Sequence, residues 1–513
     1  MRAIQMHPLT NPGMPFICMI LARKGIVHWM AAVLLNRDHR REGTSMFRAM
    51  RLFLERPSGF AWPQCALLVF AVLFAASPLA VLAHGWFATG PWFTAFLMAG
   101  STATLLALGR WREFEIDTRD VIFCCLLLAI GISLALNGIG PDQNEFYLLT
   151  LTLAAYPAAR LCPARVSSRG FILLIGAVVA AGTLVTIPSL IEQWSDPNHP
   201  KVVVFGLYDA APAQFTMLFG FLLLSITARQ LTSRRAVLVA GLSAMPAFVF
   251  AACQVRFTFV AIAVAMLVAA GIANQARQRV YILMILGAVL VAGLAGSAAR
   301  WETTKLFLHR AIESGTTSFE SGTTSLDPGC ASVDTRNSIE IRKQLYIDAI
   351  RLLAKGDSFG IGFERFPTMS CIPRTQVHSA PLQVAVEFGP LAGVLFVILI
   401  AKCIGARMYW LGRINPEARF VLAAVVFATI LSLAHGRISR EIPLLLMLGY
   451  AAAVSRRGHR FAMEWMRDSL KDYTMPSDPW SFAVSGSGGA CRPAKREERA
   501  PLVRQFGRHG DLP

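Results

Sequence analysis

Residues 257–298 read FTFVAIAVAMLVAAGIAN, then QARQR, then VYILMILGAVLVAGLAGSA, so two long apolar runs flank a short basic turn. Each run is long enough to cross about 30 Å of hydrocarbon at about 1.5 Å of helix rise per residue. Runs of this kind, bounded by charged residues, recur along the chain. They predict an all-α, polytopic membrane helix bundle of about twelve transmembrane helices. The predicted spans lie near 61–83, 89–108, 120–137, 145–159, 170–192, 211–228, 236–253, 257–274, 280–298, 382–405, 420–435 and 441–455.

The composition excludes an ordinary soluble enzyme. Of the 513 residues, 55% are hydrophobic and only 16% are charged, whereas soluble domains carry about 25% charged residues. The mean hydropathy is +0.51. The net charge of +18 would indicate nucleic-acid binding in a soluble protein. Here the basic residues lie in short loops between apolar runs, so we predict contact with a lipid bilayer and no nucleic-acid partner.

The distribution of basic residues among the short loops predicts the orientation. If the N-terminus is cytoplasmic, most of these residues lie on the cytoplasmic side, and only Lys201, Arg256, Arg437 and Arg440 lie in short outside loops. The positive-inside rule therefore predicts a bacterial inner-membrane protein with both termini in the cytoplasm.

These predictions divide the chain into five segments. The first, 1–60, is cytoplasmic, and its residues 1–45 are either an interfacial helix or an over-long start preceding Met46. The others are transmembrane helices 1–9 (61–298), a periplasmic loop between spans 9 and 10 (299–381), transmembrane helices 10–12 (382–455) and a basic, largely disordered cytoplasmic tail (456–513).

The 299–381 loop is predicted to be partly helical. Ser338–Lys355 has the apolar spacing of an amphipathic helix, and Gly356 is a natural terminator. Together with the loop that follows it, this helix is predicted to form a lid over the outer membrane face. Cys330 and Cys371 lie well inside the same loop; they either pair as a disulfide on an oxidising side or remain two free thiols.

The candidate chemistry lies in ionisable residues near the predicted outer face. Arg256 lies in a tight turn between two apolar spans, where it is either an anion clamp or a side chain that reaches lipid headgroups. Arg342 lies on the apolar stripe of the amphipathic helix, where it faces either a bound anion or a carboxylate. Arg437 and Arg440 either add positive charge to this face or pair with Glu441.

Two further residues precede or enter the tenth predicted span. His378 suits general-base catalysis because histidine titrates near neutral pH, although a single interfacial histidine is often only half-solvated. Glu387 lies inside the span and is expected to face the protein interior, since a carboxylate in lipid is costly. No Cys and His spacing indicates a metal site.

Four short motifs in this region resemble the O-antigen ligase and polymerase family. They are RKQLY (342–346), FGIG (359–362), HSAPL (378–382) and EFGPL (387–391). Arg256 looks like the family's other arginine. Val255 stands where the family often has Ser, and Ser379 stands where Asn is common.

The resemblance implies a metal-independent, inverting glycosyltransferase without a cofactor, acting at the periplasmic face. Its donor would be a glycan on polyprenyl diphosphate, and its acceptor a hydroxyl of a glycolipid or glycan. We expect His378, Arg256 and Arg342 to be catalytic, and we assign diphosphate or glycan binding to Arg437, Arg440, Glu387, Gly360 and Gly362. The position of the large loop favours a ligase of lipopolysaccharide assembly. A repeat-unit polymerase and a non-catalytic glycolipid transporter or flippase are the alternatives.

Overall fold

The structure is a computed structural model of the full chain. It describes residues 62–166, 168–195, 201–305, 309, 338–373 and 375–473. Over these residues the chain is helical and contains no strands, which confirms the predicted all-α class. The helices are α1 (Trp62–Phe74), α2 (Ala76–Phe87), α3 (Pro91–Ala107), α4 (Thr118–Asn137), α5 (Gln143–Arg160), α6 (Arg169–Glu192), α7 (Ala211–Thr227), α8 (Ser233–Ala252), α9 (Arg256–Ile272), α10 (Ala276–Ala299), α11 (Ser338–Lys355), α12 (Phe366–Met369), α13 (Ala380–Phe388), α14 (Pro390–Ile404), α15 (Ala406–Ile414), α16 (Pro416–His435) and α17 (Ile442–Tyr473).

Every predicted span is helical in the structure. Six helices among the described residues are long and apolar enough to cross a membrane, and one bent pair makes a seventh. Three further apolar helices are shorter: Trp92–Ala107, Ala211–Thr227 and Arg256–Ile272. These apolar helices indicate that the chain is a membrane protein. The count of about twelve spans stays a prediction.

Two predicted spans are broken rather than continuous. The first bends by 73° between α1 and α2. The tenth is interrupted at Gly389, between α13 and α14. Gly389 has φ +96°, and Pro390 starts the next helix without an N–H to donate. The break lets α14 approach α13 closely, since a Cβ on Gly393 would lie 2.6 Å from the Ala385 Cβ.

A series of aromatic rings in contact with one another lies in the core of the bundle. Phe74 packs edge-on against Phe221 with ring centroids 4.5 Å apart, and Phe221 packs against Phe427 at 4.8 Å. Phe171 joins Phe74 at 5.8 Å. These contacts join α1, α6, α7 and α16, so the core depends on helices that are distant in sequence.

The chain divides into two compact units, Met1–Ser455 and Arg456–Pro513. The first contains helices α1 to α16. In the second, the described residues 456–473 continue the helix α17. The predictions for 1–60 and for 474–513 lie outside the described residues.

Candidate active site

The C-terminal end of α4 meets the loop that follows α11. Asn137, the last residue of α4, donates from its side-chain amide to the carbonyls of Phe359 and Gly360 at 3.2 and 3.1 Å. A backbone bond from Gly140 to the Phe363 carbonyl, at 2.8 Å, extends this contact. The 359–363 segment is therefore held at one end of the bundle.

The Gly-x-Gly motif docks backbone to backbone on the end of α13. The N–H groups of Ile361 and Gly362 donate to the carbonyls of Val386 and Glu387, both at 3.0 Å. Gly360 and Gly362 have φ values of +75° and +97°. These glycines hold the chain beside α13, and the substrate-binding role assigned to them stays a prediction.

Gly389 allows the closest of these approaches. A Cβ on Gly389 would lie 2.2 Å from the Ser358 carbonyl oxygen, and a Cβ on Gly360 would lie 2.5 Å from the Gly389 nitrogen. Both neighbours are backbone atoms, which cannot move aside as a flexible side chain can. The EFGPL motif is thus attached to the FGIG motif through main-chain contacts.

We expect Gly389→Ala to lower the free energy of unfolding by at least about 2 kcal/mol, because it combines a strained φ with the backbone overlap. Thermal unfolding of the purified protein in detergent measures this. Gly131→Ala is the matched control, since Gly131 lies inside α4 with nothing within 4 Å of its added Cβ. Equal melting temperatures for the two variants would contradict the proposed close packing.

Glu387 is fully buried, as expected from its position in an apolar stretch. Its carboxylate accepts hydrogen bonds from the side-chain amides of Gln383 at 2.9 Å and Gln376 at 3.2 Å. The Gln383 oxygen in turn accepts from the Ile438 N–H at 2.9 Å. Glu387 therefore belongs to a buried series of hydrogen bonds that connects α13 to the 436–441 loop. Its contact with substrate stays a prediction.

Arg342 contacts a histidine that the sequence analysis did not assign to the site. A guanidinium nitrogen of Arg342 lies 3.1 Å from Nδ1 of His435, the last residue of α16. One turn along α11, the Tyr346 hydroxyl donates to the Leu433 carbonyl at 2.7 Å. These two contacts fix the RKQLY motif on the end of α16.

Phe257 connects this end to the start of α9. Its ring lies edge-on to the His435 imidazole with centroids 5.4 Å apart. Arg256, the residue before it, begins α9 after a tight turn in which Gln254 has φ +67°. The Arg256 guanidinium donates to the side-chain oxygen of Gln254. Arg256 thus starts its helix next to the ring that contacts His435.

A buried arginine supports the turn before Arg256. Arg300, which follows α10, donates to the carbonyls of Ala252 and Gln193 at 3.2 and 3.3 Å. Sequence reasoning gave it no role, because an arginine after an apolar run usually indicates a membrane boundary. In the structure its guanidinium satisfies the carbonyl ends of α8 and α6.

His378 lies half-buried just before α13. Burial and the positive charges of Arg342, Lys201 and Arg437 lower its pKa from the ordinary value of 6.5. The imidazole is therefore neutral at pH 7 and able to accept a proton. Burial likewise lowers the pKa of Arg342. Lys201, an exposed residue, was placed in an outside loop by the sequence but not assigned to the site.

Arg437 and Arg440 pair with carboxylates other than the one considered from the sequence. Arg437 lies 2.7 Å from a Glu364 oxygen and 3.3 Å from a Glu145 oxygen. Arg440 also pairs with Glu145, which accepts from the Ser439 hydroxyl at 2.6 Å. The alternative of a pair with Glu441 was wrong, because the short 436–441 loop turns both guanidiniums towards α5. Their binding of diphosphate stays a prediction.

The segment that follows α11 is hydrogen-bonded to that helix. Cys371 is disulfide-bonded, and its N–H donates to the buried Asp348 carboxylate at 2.8 Å. Cys330 lies outside the described residues, so its pairing with Cys371 stays a prediction. Leu345 and Ala349 of α11 pack with Val386 of α13 in a small separate core, which fixes the helix over the residues around His378.

The long apolar helices among the described residues indicate a helical membrane protein, and a charged cluster lies at one end of its bundle. Residues 219–397 match the model of a family described as O-antigen ligase. This match over part of the chain supports the resemblance to the O-antigen ligase family that the motifs predicted. The matched residues include Arg256, Arg342 and His378, whereas Lys201, His435 and Arg437 lie outside them. No curated protein matches the chain.

Proposed function

We propose that the protein transfers a glycan from a polyprenyl-diphosphate carrier to a sugar hydroxyl of a glycolipid, as an O-antigen ligase. The main observation in support is that the neutral imidazole of His378 lies near three cations, Arg342, Lys201 and Arg437. Arg256 begins a helix beside the same cluster. A base beside several cations suits a reaction that takes one proton and releases an anionic leaving group.

The proposed step moves one bond and one proton. The acceptor oxygen bonds to the anomeric carbon, while the bond from that carbon to the diphosphate oxygen breaks. The electron pair leaves with the lipid diphosphate, whose charge Arg256 and Arg342 stabilise, and the hydroxyl proton passes to His378. A single displacement of this kind inverts the anomeric configuration.

The position of the residues favours chemistry over transport. His378 lies in a loop, Arg256 begins a helix and His435 ends one, so the cluster is at the end of the bundle rather than at mid-helix. Transporters commonly bind their cargo near the midplane, at broken helices of paired repeats. We place this end at the periplasmic face of the inner membrane, which keeps both termini cytoplasmic and most short-loop basic residues inside.

Reconstitution of the purified full chain tests the proposal. The protein is supplied with a polyprenyl-diphosphate glycan and, in separate reactions, with lipid A–core or a second lipid-linked repeat as acceptor. We expect glycosylated lipid A–core and release of polyprenyl diphosphate. Product only with the second lipid-linked repeat would instead make the protein a polymerase, and no product with either acceptor would overturn glycosyl transfer.

The rate of transfer should be constant around neutral pH and fall only below pH 6.5. A pKa lowered from 6.5 keeps His378 neutral at pH 7, and activity is lost as the imidazole becomes protonated. Lys201→Gln removes one nearby positive charge, so its acidic limb should move to higher pH. Rate–pH profiles of both proteins measure this, and an unchanged limb in the variant would contradict the coupling.

His435 should act as a positioning residue for Arg342. His435→Gln retains an acceptor for the guanidinium and should keep most activity. His435→Phe retains a ring against Phe257 but no acceptor, so we expect a loss of about tenfold or more, typical of a hydrogen bond to a charged group. Rates of the two variants, measured with the same donor, distinguish them. Equal rates would mean that Arg342 does not depend on this contact.

A further inference from the structure

A cavity of about 510 Å³ lies at the end of α4 opposite to Asn137. It is formed where the start of α4 meets the end of α14 and the start of α15. Its lining residues are Asp117, Thr118, Arg119, Ile398, Ala401, Lys402, Gly405, Ala406 and Arg407. Because α4 has 20 residues, about 30 Å of helix separates this cavity from the candidate active site.

The charge of the lining is positive and partly uncompensated. Arg119 is buried and already committed to the Asp117 carboxylate at 3.3 Å, the Lys402 carbonyl at 3.2 Å and the Ser455 hydroxyl at 3.0 Å. Exposed Arg407 donates to the Ser455 carbonyl at 3.4 Å. The Lys402 ammonium is exposed and has no hydrogen bond or ion pair with any described residue. Two cations therefore face the cavity with little to neutralise them.

An apolar stripe of α14 leads into this cavity. Leu391, Val394, Val397 and Ile398 are each more than a third exposed, at intervals that place them on one side of the helix. Ile398 belongs to both the stripe and the cavity lining. In a membrane helix such a face meets acyl chains. Along the chain, the apolar side chains of α14 are thus followed by Lys402 near the end of α14 and by Arg407 at the start of α15.

Aromatic residues of α15 place the cavity at the edge of the hydrocarbon. Trp410 is 62% exposed, and the Arg413 guanidinium lies 5.1 Å from its ring centroid. Exposed Trp and Tyr residues concentrate at membrane–water interfaces. The phosphate of a lipid lies at this depth, and its acyl chains can contact the neighbouring apolar stripe. A soluble anion would make no contact with that stripe.

We propose that the cavity binds the phosphate of an anionic phospholipid, with Lys402 and Arg407 as its cationic contacts and the stripe of α14 along its acyl chains. This site is independent of the proposed transfer reaction, because it uses none of the candidate active-site residues. In the predicted orientation it faces the cytoplasmic leaflet, where anionic lipids attract basic residues at the membrane surface.

The test is lipid binding by the full chain in detergent, measured by native mass spectrometry with phosphatidylglycerol and with phosphatidylethanolamine. Phosphatidylglycerol should bind the double variant Lys402→Gln/Arg407→Gln about 25-fold more weakly, since each cation is worth about 1 kcal/mol at an anionic surface. Lys402→Arg should retain binding. Arg413→Gln is the matched control, because Arg413 is a cation of the same region that stacks on Trp410 and does not line the cavity.

Three results would overturn the proposal. They are unchanged phosphatidylglycerol binding in the double variant, equal affinity for phosphatidylethanolamine, and displacement of the lipid by an equal concentration of inorganic phosphate, which would indicate a site for a free anion. An unchanged melting temperature of the double variant confirms that it is folded, as expected for two exposed side chains.

Discussion

His378→Ala should reduce the rate of glycan transfer by about 10²–10⁴-fold, the range that a positioned general base contributes. The donor should still bind, because the cations that would hold its diphosphate are unaltered. Purified variant and wild-type proteins, supplied with the same labelled donor and acceptor, measure both quantities. The loss should appear in kcat rather than in KM, since the proton is transferred only during the reaction.

A second histidine provides the control for this experiment. His84 lies in α2, where its ring packs edge-on against Tyr208 with centroids 5.5 Å apart, and its Nδ1–H donates to the Thr89 carbonyl. Replacing it with Gln removes an imidazole without touching the candidate site. If His378→Ala and His84→Gln had the same near-normal rate, a general-base role for His378 would be excluded.

Arg342→Lys should lower the transfer rate by about 10²–10³-fold, the cost of removing one preorganised group that stabilises developing charge. Lysine keeps the positive charge but cannot bind two oxygens with a planar fork. It also cannot reproduce the contact in which a guanidinium nitrogen of Arg342 lies 3.1 Å from His435 Nδ1. Steady-state rates with saturating donor report the effect on the chemical step.

Arg351 is a matched control on the same helix. Its guanidinium pairs with Asp348 at 3.0 Å, away from His435. Arg351→Lys should therefore retain transfer, since it alters an arginine of α11 without altering the candidate site. Full activity in Arg342→Lys would show that positive charge alone is needed there, and would remove the argument for bidentate phosphate contact.

Local sequence patterns were sufficient for most helices. The spacing of apolar residues in Ser338–Lys355 predicted the helix α11 and Gly356 predicted its end, and the structure confirms a helix over these residues that ends at Lys355. Each apolar run likewise became a helix. These features depend on residues a few positions apart, which is the range over which helical periodicity carries information.

The partners of the charged residues could not be predicted in the same way. Glu145 and Arg437 are almost 300 positions apart, so nothing in the local sequence connected them. Glu441, four residues from Arg437, appeared the natural partner from the sequence alone. His435 and Lys201 were missed for the same reason, because only the folded chain brings both close to His378.

The backbone contact between the FGIG segment and Gly389 has an evolutionary consequence. His378 lies two residues before α13, whose far end is fixed by peptide groups, and peptide groups are the same whatever side chains surround them. Neighbouring positions could therefore exchange residues freely, while His378 keeps its place. Only the glycines themselves would resist such drift, because any larger residue would push the two main chains apart.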